Sequence, residues 1–200
     1  MNKGCENRKI LSTNYYRSFI ISIIIGILLW IFADKNFIYS MANGIKVHFE
    51  LPFRSVENLI VLVCEIVEYS LRDILLLTVA FLFSCVTVSL LHIYLVMIYK
   101  GVYLGVSTAA IFIAHKINSG FPSIESIVIY MLFEIFGTAV LLRFFYHAIR
   151  FSGELRKIKH EFGVCAAYKK LRSTYCLCFL FSACIVITLN SIYCFLIYIT

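Results

Sequence analysis

The sequence predicts an all-α, polytopic transmembrane helix bundle of about five spans, and three observations predict it. Apolar residues make up 62% of the 200 residues and charged ones 14%, against roughly 45–50% and about 25% in soluble globular chains. The apolar excess comes in long blocks: neither Ile74 to Tyr99 nor Tyr175 to Thr200 contains an Asp, Glu, Lys or Arg. A helix needs only ~20 such residues to cross ~30 Å of hydrocarbon. The net charge of +7 is unevenly spread, with eight Lys/Arg between Arg143 and Arg172 opposed only by Glu154 and Glu161. A bilayer solvates the apolar excess on the outside of the fold, where a soluble core cannot absorb it. Lys/Arg clusters beside spans set orientation and touch anionic headgroups; this one carries no nucleic-acid recognition motif.

The first span is placed at 15–33, behind a basic leader of Lys3, Arg8, Lys9 and Arg17 and with Trp30 as an interfacial anchor. Ser40-Met41-Ala42 resembles a signal-peptide cleavage site, but it lies well beyond the apolar run, so the span reads as a retained anchor. An outer segment, 34–73, follows with a mildly acidic balance and a break at Pro52. Within it, Asn58 to Leu71 places Leu59, Leu62, Val63, Ile66, Val67 and Leu71 on one helical face. That amphipathic helix lies on the outer membrane surface, against a partner, or packed on its own bundle.

From Ile74 to Ala114 the chain carries one formal charge, Lys100. As a single helix this stretch would be ~60 Å long, twice the hydrocarbon thickness, so it must turn back. The weakest point, Thr87 to His92, is the expected hairpin between a second span at 74–91 and a third at 93–114. Gly120 and Pro122 supply turn chemistry for an outer loop at 115–123. A fourth span at 124–142, a basic cytoplasmic segment at 143–174 and a fifth span at 175–199 complete the chain. Lys3, Arg8, Lys9, Arg17 and the 143–172 cluster outnumber Lys35, Lys46, Arg54 and Lys116 on the other side. The positive-inside rule therefore puts the N-terminus inside and the C-terminus outside, in a multi-pass plasma-membrane protein.

Chemistry-bearing motifs are scarce. Of eight cysteines, Cys85, Cys176, Cys178, Cys184 and Cys194 fall in apolar blocks, where thiols act as small hydrophobes. No spacing suits a metal. His92, His115 and His147 stand near membrane borders without an HExxH or Gly-x-Ser-x-Gly pattern, and no phosphate-binding loop is present. No catalytic residue, cofactor or metal site is expected, and the chain does not read as an enzyme.

Three features nevertheless stand in the wrong place for a plain apolar bundle. Glu134 sits inside the fourth span, where a charge costs ~2.5–3.5 kcal/mol on insertion scales and must face the bundle or be neutral. Lys100 lies ~10 Å into its span at 1.5 Å per residue, at a depth similar to that of Glu134. It can pair with that carboxylate or snorkel to the headgroups. Gly101 and Gly105, four apart, make a smooth strip on which another helix can approach closely.

The run Ile98-Tyr99-Lys100-Gly101-Val102-Tyr103-Leu104-Gly105, the N-terminal anchor, the outer segment and the helical hairpin together resemble the stage II sporulation protein M family. Members carry an aromatic-x-Gly-x-x-Leu-Gly motif in this span, and many have Pro-His-Gly-x-x-Glu in the next long one. Glu134 matches that glutamate, while Ile129, Tyr130 and Met131 replace the Pro-His-Gly. The resemblance implies a non-catalytic membrane scaffold for peptidoglycan-cleaving partners, docked through 34–73 and 115–123, in engulfment during sporulation. The rival expectation is a membrane subunit of a small-molecule or lipid transporter, in which Glu134, Lys100 and the glycine strip line a path.

Overall fold

The computed structural model describes residues 3–33, 36, 37, 40, 59–85, 90–117, 123–162 and 164–199. Five long helices organise them: α1 Lys3–Ile31, α2 Leu59–Cys85, α3 Leu90–Ile117, α4 Ile124–Phe162 and α5 Val164–Ile199. The chain is an all-α bundle, as expected. Four stretches, Asn14–Ile31, Leu91–Lys116, Ile124–Leu155 and Ser173–Leu196, are long and apolar enough to cross a membrane.

Side-chain contacts fix the directions of the helices. Tyr15 meets Tyr94 near the start of α3, and Gly26 meets Gly105 further along, so α1 and α3 run parallel. Asp73 meets Lys100 while Phe83 stacks on His92, so α2 runs antiparallel to α3. Glu134 meets Lys100 and Met131 meets Thr108, so α4 is also antiparallel to α3. Finally, Tyr193 packs on Tyr69 and Tyr130, and Tyr175 on Phe81 and Phe144, which sets α5 antiparallel to both α2 and α4.

Two aromatic layers bracket the central part of the bundle. At one end Tyr15 contacts Tyr16, Tyr94 and Tyr146, and its hydroxyl donates to the Leu142 carbonyl oxygen at 2.8 Å. At the other end stand Trp30 and the Tyr69–Tyr130–Tyr193 cluster. Tyr130 to Tyr146 covers about 24 Å of α4, and Tyr175 to Tyr193 about 27 Å of α5, at ~1.5 Å per residue. That separation approaches the hydrocarbon thickness, and amphipathic rings favour the interface. Between the layers the core is built by Phe19, Leu77, Ile93, Met97, Leu141 and Val186. Outward-facing Ile20, Leu82, Leu95, Leu132 and Phe181 stay exposed, as lipid-facing side chains must.

The structure revises several expected boundaries. Residues 59–85 form one unbroken helix, not a surface helix followed by a separate span at 74–91. The sequence has no Gly or Pro to stop it, so the backbone ladder continues through Arg72 and Asp73. The outer segment 34–73 is correspondingly shortened. Leu62, Ile66 and Tyr69 pack against the core while Val63, Val67 and Leu71 face outward, which splits the expected apolar stripe in two. Most of 34–58 lies outside the described residues, as do 87–89 of the hairpin expected at 87–92, whose last three residues, Leu90 to His92, are already helical.

α3 extends beyond 93–114 at both ends, and the expected outer loop at 115–123 is reduced at its start because His115 is still helical. The rest of that loop, 118–122, lies outside the described residues. The largest revision concerns 143–174. α4 does not end at 142 but continues to Phe162, and α5 begins at Val164 rather than at 175. Phe144, Phe145, Ala148, Ile149, Phe151 and Leu155 recur at helical spacing and are buried, so this part of the basic segment belongs to the bundle. Tyr175 is stacked on Phe151 at 4.0 Å and on Phe81 at 5.1 Å, and accepts from Ser84 Oγ at 2.7 Å. Past the Tyr146 and Tyr175 level, the helix pair runs on by about 24 Å in α4 and about 16 Å in α5 at ~1.5 Å per residue.

Candidate functional site

The charged residues that apolar packing cannot explain converge between the two aromatic layers. α2 contributes the adjacent pair Arg72 and Asp73, α3 contributes Lys100 and α4 contributes Glu134. Neighbours on a helix point about a third of a turn apart; Asp73 is buried, while Arg72 keeps 28% of its side chain exposed. Lys100 is 1% exposed, so its ammonium does not snorkel out of the bundle. It donates to Glu134 Oε1 at 2.8 Å and to Asp73 Oδ1 at 3.0 Å.

Arg72 closes the circuit. Its Nη2 donates to Glu134 Oε2 and its Nε to Asp73 Oδ1, both at 3.4 Å. Around the ring the signs alternate, Lys100, Asp73, Arg72, Glu134, and the formal charges cancel. The Lys100 contacts have the length of strong charge-assisted bonds, whereas the Arg72 contacts are long and correspondingly weak. Tyr103, one turn beyond Lys100, supports both cations: its ring centroid is 4.3 Å from the Arg72 guanidinium carbon and 5.8 Å from Lys100 Nζ. Cation–π contacts of this length contribute about 0.5–2 kcal/mol depending on desolvation. A Cβ added at Gly137 of α4 would stand 3.9 Å from Asp73 Oδ2, an ordinary contact.

The ring ties α2, α3 and α4 together. Each buried ion costs several kcal/mol in desolvation, offset only when partners and geometry are complete. Here α2, α3 and α4 must be in register for Lys100 to reach both carboxylates and for Glu134 to reach both cations. Chemically, the cluster offers a proton or cation two carboxylates, and an anion the partly exposed Arg72. A polar crevice beside it is lined by Tyr69, Arg72, Tyr130, Glu134, Asn190 and Tyr193, where Asn190 Nδ2 donates to Ser70 Oγ at 3.4 Å.

The glycine strip lies on another face of α3, against α1. A Cβ on Gly101 would run into the Ser22 hydroxyl, one on Gly105 into the Ile23 carbonyl oxygen, and one on Gly26 into the Val102 carbonyl oxygen. The two backbones therefore touch. Ser22 is fully buried and its Oγ donates back to the Phe19 carbonyl at 2.6 Å, so the hydroxyl that faces Gly101 is satisfied within its own helix. Glu134 and Lys100 are thus brought together, while Gly101 and Gly105 serve a different contact.

Four participants escaped the sequence reading. Arg72 and Asp73 looked like the border of an outer segment. Ser22 and Gly26 repeat the four-residue spacing of Gly101 and Gly105, a signal present but unused. His92, His115 and His147 do not converge, and among the described residues no group of three or more His, Cys, Asp or Glu could hold a metal ion.

Neither family models, curated proteins nor solved structures match the chain.

Proposed function

We propose that the chain is a non-catalytic, multi-pass scaffold of the plasma membrane, with its N-terminus inside, its C-terminus outside and α2 counted as the fifth membrane-crossing helix. The observation that carries this reading is the closed charge ring. Its four ions satisfy one another across α2, α3 and α4, as in a bundle built to hold one shape. The alternating helix directions support five crossings, because parallel α1 and α3 require the chain to return between them through α2. The shortened outer segment, 34–58, and residues 115–123 are the docking surfaces. Peptidoglycan-remodelling enzymes are the partner class, as the resemblance to stage II sporulation protein M suggests.

Crosslinking in intact cells, followed by purification from membranes and mass spectrometry, tests this function. Recovery of wall-cleaving enzymes, reduced when 34–58 is replaced by a neutral linker, is the expected result. Unchanged recovery with that linker would remove the docking assignment. The second reading, a transporter subunit, draws on one observation: Arg72 is partly exposed where the ring borders the Asn190 crevice. It requires solute or ion flux through reconstituted vesicles.

A further inference from the structure

A lengthwise groove opens on the bundle surface between the Trp30 end of α3 and the first turns of α4. It encloses about 440 Å³ and is lined among others by Phe112 and His115 of α3 and by Val128, Met131, Leu132 and Ile135 of α4. Phe112, Val128, Leu132 and Ile135 are each about half exposed, so the groove faces the lipid side. Its floor along α4, from Ile124 to Ile135, extends about 16 Å at ~1.5 Å per residue. It runs with the helix axes, the direction in which acyl chains lie in a bilayer. Apart from His115 at one end, the wall offers water no polar side chain, which suits a hydrocarbon chain better than solvent.

The mouth is not apolar. Neither charged neighbour lines the groove, but Lys116, one residue past the lining His115 in the last turn of α3, and Glu125, one residue past the lining Ile124 in the first turn of α4, are both exposed at that end. The groove is thus flanked at this end by one cation and one carboxylate. A phosphate complements Lys116. Glu125 repels a purely anionic headgroup and accepts hydrogen bonds from a primary ammonium. A quaternary ammonium has no N–H to donate.

We propose that this groove seats one acyl chain of a phosphatidylethanolamine, with its phosphate at Lys116 and its ammonium at Glu125. The site rests on the membrane assignment alone and is independent of the scaffold function.

The test uses the full chain purified in detergent, with Phe112→Trp placing an indole in the groove and the wild-type emission subtracting Trp30. Lipids with brominated chains quench an adjacent indole. Brominated phosphatidylethanolamine should quench at several-fold lower concentration than the phosphatidylglycerol or phosphatidylcholine equivalents. Glu125→Gln should erase the difference between phosphatidylethanolamine and phosphatidylglycerol. Lys116→Gln should weaken all three by about threefold, the scale of one exposed charge contact. Val128→Phe, which fills the groove, should abolish the preference.

Mass spectrometry of lipid co-purified with the chain gives an independent readout: phosphatidylethanolamine should be retained by wild type and lost from Val128→Phe. Equal quenching by all three lipids, or retention unchanged by Val128→Phe, would overturn the proposal. So would a lipid-independent dimer crosslinked through Val128→Cys, because a second copy would then fill the groove.

Discussion

Lys100→Met is the most informative single perturbation. The substitution keeps most of the side-chain volume and removes the ammonium that bonds Asp73 at 3.0 Å and Glu134 at 2.8 Å. Two buried carboxylates then share only Arg72, whose contacts are 3.4 Å long. Removing one partner of a buried ion pair costs about 3–5 kcal/mol, mostly from the charge left behind. For a chain of this size each kcal/mol shifts Tm by roughly 2–4 °C, so Lys100→Met should lower Tm by roughly 6–20 °C in detergent.

Adding Glu134→Gln restores balance, leaving Arg72 against Asp73. The double variant should be more stable than Lys100→Met alone, with a coupling of about 1–3 kcal/mol in a double-mutant cycle. The assay is thermal unfolding of purified protein, read by tryptophan emission and by helical circular dichroism. A Lys100→Met protein within 2 °C of wild type, or strictly additive substitutions, would refute the ring, since a lysine that contributes nothing when removed is not clamped.

Three further outcomes follow from the packing, and each separates one contact from its neighbours. At the α1–α3 seam, Gly105→Ala should destabilise more than Gly101→Ala, because the new methyl meets backbone at Gly105 but a serine hydroxyl at Gly101. Overpacking costs of about 1–3 kcal/mol, relieved by Ser22→Ala only for Gly101→Ala, would be seen in detergent unfolding; equal rescue at both positions would contradict the contact. Tyr15→Phe removes the hydroxyl that joins α1 to the Leu142 carbonyl at 2.8 Å and should cost about 1 kcal/mol, the scale of intramembrane hydrogen bonds; no change in unfolding would mean that the bond is idle. In a cysteine-less background, single cysteines at 46 and 120 should react with an impermeant maleimide from outside, and one at 160 only after permeabilisation. External labelling at 160 would reverse the orientation.

The fold class was legible because membrane solubility writes itself into composition: no soluble packing accommodates Tyr175 to Thr200. Boundaries were harder, for a physical reason. The sequence puts membrane borders at Asp73 and at Arg143, the first charge after 124–142, since an isolated charge belongs in water. Arg72 and Asp73 are instead satisfied within the bundle, Asp73 buried and Arg72 partly exposed, by Lys100 and Glu134, residues 27 to 62 positions away. Arg143 and Arg150 ride the exposed side of a helix whose other face buries Phe144, Ala148 and Phe151. Sequence spacing shows which residues share a face of one helix, but not which faces of different helices meet. Lys100 and Glu134 stood out because each lies alone in an apolar block. Asp73 did not, because Glu65, Glu68 and Arg72 gave it a polar neighbourhood along the chain.

Glu134→Gln alone does not test the clamp against a transport role, because it leaves two cations facing one carboxylate. The balanced pair, Lys100→Met with Glu134→Gln, removes the titratable carboxyl while keeping the ring neutral. Partner recovery from membranes and proton or cation flux in reconstituted vesicles, measured side by side for wild type and this folded double variant, put the scaffold reading to its most direct test. A static clamp requires that partner recovery survive the exchange and that neither protein conduct above empty vesicles; a flux present in wild type and lost in the folded double variant would contradict it.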